Sequence, residues 1–139
     1  MQVVEYGPPI QLAAAKRVIE AAEKEAAANG WAMVVAIVDS TGHLVALHKM
    51  DHAQYGSVDI AQAKARTAVN LKRPTKVLQD GVADGGIGLR MLSVEGLSAL
   101  EGGVLLMDED RIVGGIGVSG ADSTQDAQVA MAGVRVLTG

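Results

Sequence analysis

The stretch GGIGVSGADSTQD, residues 114–126, determines which fold the chain can adopt. Its Gly115, Gly117 and Gly120 have the spacing G-x-G-x-x-G, which in dinucleotide-binding proteins brings a helix start against a pyrophosphate. The same glycines would also suit a strand whose backbone is closely approached by another element. The flanking sequence distinguishes a nucleotide-binding loop from a packing surface.

The residues before this stretch favour the packing surface. The segment GGVLLMDEDRIVGGIGVSG, residues 102–120, has the pattern of a β-hairpin with its turn at 107–111. A dinucleotide loop instead follows the first strand of a strand–helix–strand unit, and a P-loop needs a Lys-Ser or Lys-Thr pair that is absent here. Gly115 and Gly117 then lie on one face of a strand, where either a helix or a ligand can approach them.

The rest of the chain predicts helices and hairpins. We expect helices at 8–28, 57–71, 75–79 and 124–137, strands at 32–39 and 43–50, and a helical stretch near 89–100. The order, α–β–β–α–(α)–β–β–α, predicts a single domain over residues 1–139 of the α/β (α+β) class. In this fold a central antiparallel β-sheet is flanked by helices.

Composition excludes several classes of function. The 139 residues contain no cysteine, which removes disulfides, thiolate nucleophiles and cysteine-ligated metals. A net charge of −4 with one Trp, two Tyr and no Phe gives no reason to expect nucleic-acid or membrane binding. Because the sequence shows no leader and no long apolar run, we expect a cytoplasmic protein. The 49% apolar content, mostly small side chains, predicts a homo-oligomer.

Four segments carry a resemblance to a known family. They are VAIVDSTGHLVALHKMDHA (35–53), DIAQAKARTAV (59–69), RPT (73–75) and GGVLLMDEDRIVGGIGVSGADSTQDAQVAMAG (102–133). In order and spacing they resemble the GlcG/HbpS-like proteins, also called the haem-degrading-domain or DUF336 family, and the C-terminal domain of PduO. The chain departs from the family pattern at Lys49, where an arginine is common, and lacks the proline that often follows Gly-Gly-Val.

This resemblance implies a profilin-like sandwich that assembles into a homo-oligomer, from a dimer up to an octamer. Some members of the family bind haem or sense redox state, and others accompany cobalamin or glycolate metabolism beside catabolic enzymes. The resemblance therefore implies a small-molecule ligand, with haem or another tetrapyrrole as the candidate cofactor, in a pocket near a subunit interface.

Two histidines are the candidate metal ligands. His48, Met50 and His52 fall at i, i+2 and i+4, so they share one face if the strand continues through His52. Histidine and methionine are the side chains that ligate haem iron, and histidine also binds other transition metals. The alternative is that His48 is a hydrogen-bonded core residue and His52 lies solvated in the loop.

Lys64 and Asp51 are the candidate catalytic residues. Lys64 lies among small apolar residues of the second long helix, and Asp51 ends the first hairpin. A lysine on such a face is expected to be paired with an acid or to have a lowered pKa, and it could hold a carboxylate or act as a base. The alternative is an exposed lysine. Asp126, in the first turn of the last helix, is expected to interact mainly with the helix dipole.

The glycine-rich segment ADGGIGLR is the third candidate site. Gly85, Gly86 and Arg90 could form a mobile flap whose N–H groups and guanidinium meet an anion, or the segment could be an ordinary turn.

Three hypotheses about function stay open at this point. The first is a ligand-binding oligomer that holds haem or another tetrapyrrole between Asp51, Lys64, the 84–90 loop and the glycines at 115–120. The second is a catabolic enzyme, a tautomerase, isomerase or hydratase, in which Lys64 moves a proton on a small organic acid. The third is an accessory protein without chemistry of its own.

Overall fold

The computed structural model describes residues 3–138, in which four α-helices and one 3-10 helix surround one sheet. In chain order the elements are β1 (Glu5–Tyr6), α1 (Leu12–Ala28), β2 (Val34–Asp39), β3 (Leu44–Lys49), α2 (Ser57–Leu71), α3 (Thr75–Ala83), a 3-10 helix (Gly86–Ser93), β4 (Gly103–Asp108), β5 (Arg111–Ser119) and α4 (Ser123–Thr138). The expected α+β class, with a central sheet flanked by helices, is confirmed.

Several elements differ from the expectation, among them α3, which continues to Ala83 rather than ending at Gln79. The first helix begins at Leu12 rather than Pro8, because the preceding segment is extended and follows β5, where Ile10 N donates to Val113 O at 2.8 Å. The extended segment before α1 includes the strand β1, which the sequence does not predict. The helical stretch expected near 89–100 is instead a 3-10 helix at Gly86–Ser93, which buries none of its residues. Without a packed apolar face, the segment gains no tertiary support for a longer α-helix.

Strand β5 is the centre of the sheet. It pairs antiparallel with β2 and with β4, and β3 pairs antiparallel with β2. The only departure from antiparallel pairing in the described residues is β1, which runs parallel to β5 over two residue pairs. The glycine-rich stretch thus belongs to the second strand of a hairpin, as the flanking sequence predicts, and not to a dinucleotide loop.

The two faces of the sheet are covered by different helices. On one face, α1 and α4 pack on the alternating side chains Val35, Ile37, Ile116 and Val118, and all four are fully buried. Each such branched side chain contributes about 1.5–3 kcal/mol to folding relative to full exposure. On the opposite face, α2 packs on Val34, Ala36 and Val38. Strands covered on both faces are continuously apolar, as the sequence of β2 is.

Three glycines let α2 lie with its backbone directly on the sheet. We call Gly103, Gly115 and Gly117 the glycine strip, because the register of β4 and β5 places them on the face that α2 covers. A Cβ at Gly117 would overlap the carbonyl oxygen of Ala61, and one at Gly115 would lie 2.8 Å from the carbonyl oxygen of Ala65. The strip is therefore required by close helix–sheet packing.

Within residues 3–138, no helix is both long enough and apolar enough to cross a membrane.

Candidate functional site

A buried ion pair links α2, β5 and α4. The Nζ of Lys64 donates to Oδ2 of Asp126 at 2.9 Å and to the carbonyl oxygen of Val118 at 2.8 Å. The side chains of Lys64 and Asp126 are only 2% and 4% exposed. The other oxygen of Asp126 accepts the N–H of Ala121 at 3.0 Å, so each carboxylate oxygen has a donor.

Small residues around the pair make this arrangement possible. Lys64 lies on the sheet-facing side of α2, between Ala61 and Ala65, and the glycine strip allows that side to approach the sheet. Gly102 closes the pair from the other side: a Cβ there would lie 2.8 Å from Lys64 Nζ and 3.0 Å from Asp126 Cβ. Its φ of +130° also favours glycine.

Burial sets the electrostatics of Asp126. Removal from water raises the pKa of the Asp126 carboxyl above its ordinary value, while the hydrogen bond and the charge of Lys64 and the N–H of Ala121 act in the lowering direction. The net direction is upward, because desolvation of the carboxylate is the largest effect.

The ion pair corrects the expected grouping of Lys64 with Asp51. Asp51 lies exposed in the turn after β3, whereas the partner of Lys64 is Asp126, which sequence reasoning assigned mainly to the helix dipole. Lys64 is neither the exposed lysine of the alternative interpretation nor an accessible base in this conformation. Its ammonium links α2, β5 and α4, so the geometry supports a structural role for Lys64 rather than proton transfer.

The expected histidine face does not form. Strand β3 ends at Lys49, and Met50 N instead donates to Met33 O. The chain then turns through His52, which is exposed and has a φ of +70°. His48 and His52 therefore do not share a strand face with Met50, and within the described residues no group of three or more acidic, histidine or cysteine side chains could hold a metal ion.

His48 contacts a carboxylate of the first helix. It lies near the end of edge strand β3, and its Nδ1 contacts Oε1 of Glu23 on α1. An ionised carboxylate only accepts hydrogen bonds, so Nδ1 is the donor and Nε2 is the ring nitrogen left to bind another group. The side chain is 46% exposed, which makes the expectation of a core histidine wrong.

The remaining sequence candidates lie in two different places. Gly115 and Gly117 are buried under α2, and the helix occupies the space that a ligand would need there. Gly85 and Gly86 adopt φ values of +73° and +57° at the start of the 3-10 helix, and Arg90 lies exposed at its end. The structure does not bring these residues together with Lys64 in one cavity.

Two depressions lie near the candidate residues. His52, Ala53, Gln54 and Tyr55 line an open one of about 450 Å³. A smaller groove of about 190 Å³ lies beside the ion pair, with Gly102, Gly103 and Met131 in its lining. Gly102 separates this groove from Lys64, so a molecule in the groove would meet backbone before it met the ammonium.

Residues 10–135 match the family model described as "Haem degrading protein HbpS-like". The chain belongs to the HbpS-like family. Protein GlcG of Escherichia coli K12 is 40% identical over 105 residues, which cover 76% of this chain and 77% of GlcG.

Two solved structures match most of the chain. A double mutant of Streptomyces reticuli HbpS has a TM-score of 0.86 and 32% identity, and the match covers 99% of this chain and 97% of that one. The complex of PduOC with haem has a TM-score of 0.83 and 28% identity, covering 92% of this chain and 94% of that one. These similarities confirm the resemblance drawn from the four sequence segments.

Proposed function

We propose that this HbpS-like chain binds haem or a closely related tetrapyrrole, with His48 as the iron ligand. The observation that carries the proposal is the contact between His48 and Glu23, which orients the imidazole and leaves Nε2 available on the surface. Carboxylate–histidine pairs of this kind fix the ring and raise its basicity towards a metal. Support also comes from the haem complex of PduOC, a structural neighbour.

His52 and His43 rank below His48 as iron ligands. His43 Nδ1 lies 2.8 Å from Thr41 Oγ1 in the β2–β3 turn, and His52 is exposed beyond the end of β3. No carboxylate contact orients either ring among the contacts of the described residues. An oriented ring loses less freedom on binding, and this favours His48.

We further propose that the protein is a homo-oligomer. Six large apolar side chains in the segment from α3 to the residues before β4 are 47–77% exposed: Val77, Ile87, Leu89, Leu92, Val94 and Leu100. We call them the 77–100 surface. Apolar exposure concentrated in one segment marks a contact surface in soluble proteins. The same segment contains Gly85, Gly86 and Arg90. The ligand-binding role predicted for these residues would therefore be exercised beside a contact between subunits.

The enzyme hypothesis receives less support from the geometry. A general base must reach the proton that it removes. Lys64 Nζ is enclosed by Asp126, Val118 and Gly102, and the exposed Asp51 lies elsewhere. We therefore place Lys64 and Asp126 in the framework of the protein and His48 at its ligand site.

Haem titration tests the proposed function. The wild-type protein, titrated with ferric haem, should shift the Soret band and reach saturation. His48→Ala should abolish the histidine-ligated spectrum, while the matched variants His43→Ala and His52→Ala retain it. Glu23→Gln should weaken binding by roughly 10–100-fold, the range found for partners of metal-bound histidines. Saturable ligation unchanged in His48→Ala would contradict the assignment, and no binding by the wild type would contradict the function.

Self-association is tested separately by mass in solution. At 14.3 kDa per chain, the wild type should sediment as a multiple of that mass. Ile87→Glu and Leu92→Glu should shift it towards the monomer, whereas Leu12→Glu, at an exposed apolar position on α1, should not. A monomeric wild type would contradict the proposal.

A further inference from the structure

A cavity of about 400 Å³ lies at the end of the sheet remote from His48. The extended segment before α1, the β4–β5 turn and the end of α4 surround it. Its apolar lining consists of Pro8, Pro9, Ile10, Ala14, Val113 and Leu137, with Met107 beside them. A volume of this size is within the range of small-molecule sites, roughly 300–1,000 Å³.

Two arginines border this apolar cavity. Arg17 comes from α1 and Arg111 from the start of β5, and a single carboxylate, Asp108, also lines the cavity. Among residues 3–138 the ion pairs are His48–Glu23, Lys64–Asp126 and Lys76–Asp80, so neither arginine is engaged by an acid. On a chain whose net charge is −4, this is a local excess of positive charge.

The backbone holds both arginines at the cavity. The backbone of Arg111 lies opposite Glu5 in the β1–β5 register, without an ion pair between the two side chains. The Arg111 side chain runs past Gly7, where an added Cβ would lie 3.0 Å from Arg111 Cβ and 3.6 Å from its Nε. Arg17 projects from the second turn of a 17-residue helix. The guanidinium groups therefore extend from rigid elements rather than from a loop.

We propose that this cavity binds a small organic carboxylate with an apolar body. The apolar residues would bury the hydrocarbon part, and the planar guanidinium groups are suited to paired hydrogen bonds with a carboxylate. The cavity is distinct from the proposed haem site. Val35 of β2 is paired with His48 on one side and with Val118 of β5 on the other. Val118 lies five residues along β5 from Val113 of the cavity, so about 17 Å of strand separates the two sites.

Binding of straight-chain carboxylates from butanoate to decanoate to the full-length protein tests this inference, with calorimetry for affinity and backbone amide shifts for location. At least one acid should bind, with shifts at Ile10, Ala14 and Val113. The matching primary amides should bind at least about tenfold more weakly, because they lack the charge that the arginines recognise.

Variants of the arginines complete the test. Arg111→Gln and Arg17→Gln should each weaken binding by about tenfold or more, while Arg66→Gln, an exposed arginine on α2, leaves it unchanged. Thermal unfolding of each variant checks that the fold is retained, and Ala14→Phe should block the cavity without removing charge. Absence of binding by every acid, equal binding of acids and amides, or displacement of the bound acid by haem would overturn the inference.

Discussion

Replacement of Lys64 by methionine should destabilise the protein strongly, although it removes a charge. The methionine keeps an unbranched side chain but leaves Asp126 buried at 4% exposure without its ammonium partner, and it removes the hydrogen bond that Lys64 Nζ donates to Val118 O. Breaking one partner out of a buried pair costs about 3–5 kcal/mol. With an unfolding entropy of about 2.1 cal/mol/K per residue, or about 0.29 kcal/mol/K for the chain, Tm should fall by about 10–17 °C.

The loss should also depend on pH. Burial already raises the pKa of Asp126, and removal of Lys64 takes away the largest influence in the lowering direction, so the pKa rises further. A carboxyl whose pKa is higher in the folded state than in the unfolded state stabilises the fold at low pH. This contribution is complete below the pKa of the unfolded state, about 3.9, and it is lost as the pH rises through the pKa of the folded state. The destabilisation by Lys64→Met should therefore be largest at pH 7 and shrink towards pH 4.

Urea unfolding at several pH values, without haem and at fixed protein concentration, measures this effect. Lys76→Met is the matched control, because the Lys76–Asp80 pair has a similar distance, 2.8 Å, but is exposed; it should leave stability unchanged within error. Lys64→Met combined with Asp126→Asn should recover part of the loss, since no uncompensated carboxylate remains. A loss below about 1 kcal/mol at pH 7, or one that does not change with pH, would refute the reasoning.

Three further substitutions test the packing and the first hairpin. Gly117→Ala should destabilise the fold by about 1–3 kcal/mol or more in chemical unfolding, because the new methyl overlaps the carbonyl oxygen of Ala61; an unchanged midpoint would show that α2 does not lie on the strip. Gly81→Ala, inside α3 with no atom within 4 Å of the new Cβ, should instead stabilise by about 0.5–1 kcal/mol. Asp39→Asn should lower stability at pH 7. Burial acts to raise the pKa of Asp39, but hydrogen bonds from Thr41 outweigh it and lower the pKa, so the contribution is present above about pH 4 and lost as pH falls through the folded value. An Asp39→Asn deficit that persists at pH 2 would contradict this.

Local sequence patterns predict much of the fold. The apolar run of β2, the turn residues of both hairpins and the position of the glycine strip determine an antiparallel sheet covered on both faces. The strand β1 could not be predicted from the sequence, because two residues with exposed side chains carry no periodicity and pair only through the register of β5. The sequence predicts a longer helical stretch than the 3-10 helix observed, because the apolar residues of this segment face outward instead of packing on the sheet.

The candidate site is harder to predict from the sequence, because it depends on distances between elements that are far apart in the chain. Lys64 and Asp126 are 62 residues apart, and their contact requires the approach of α2 that the glycine strip permits. The signal that could have found it is a carboxylate at the start of the helix that follows the glycine-bearing strand. For His48, alternation within β3 places the side chain on a face of the sheet, but neither the end of the strand at Lys49 nor the contact with Glu23 on α1 follows from alternation.

A crystal structure of the protein saturated with haem would test the central claim most directly. The iron should be bonded to Nε2 of His48, with Glu23 retained on Nδ1 and the Lys64–Asp126 pair undisturbed. Iron bonded by a different residue, or haem seated against an exposed Lys64, would contradict the account.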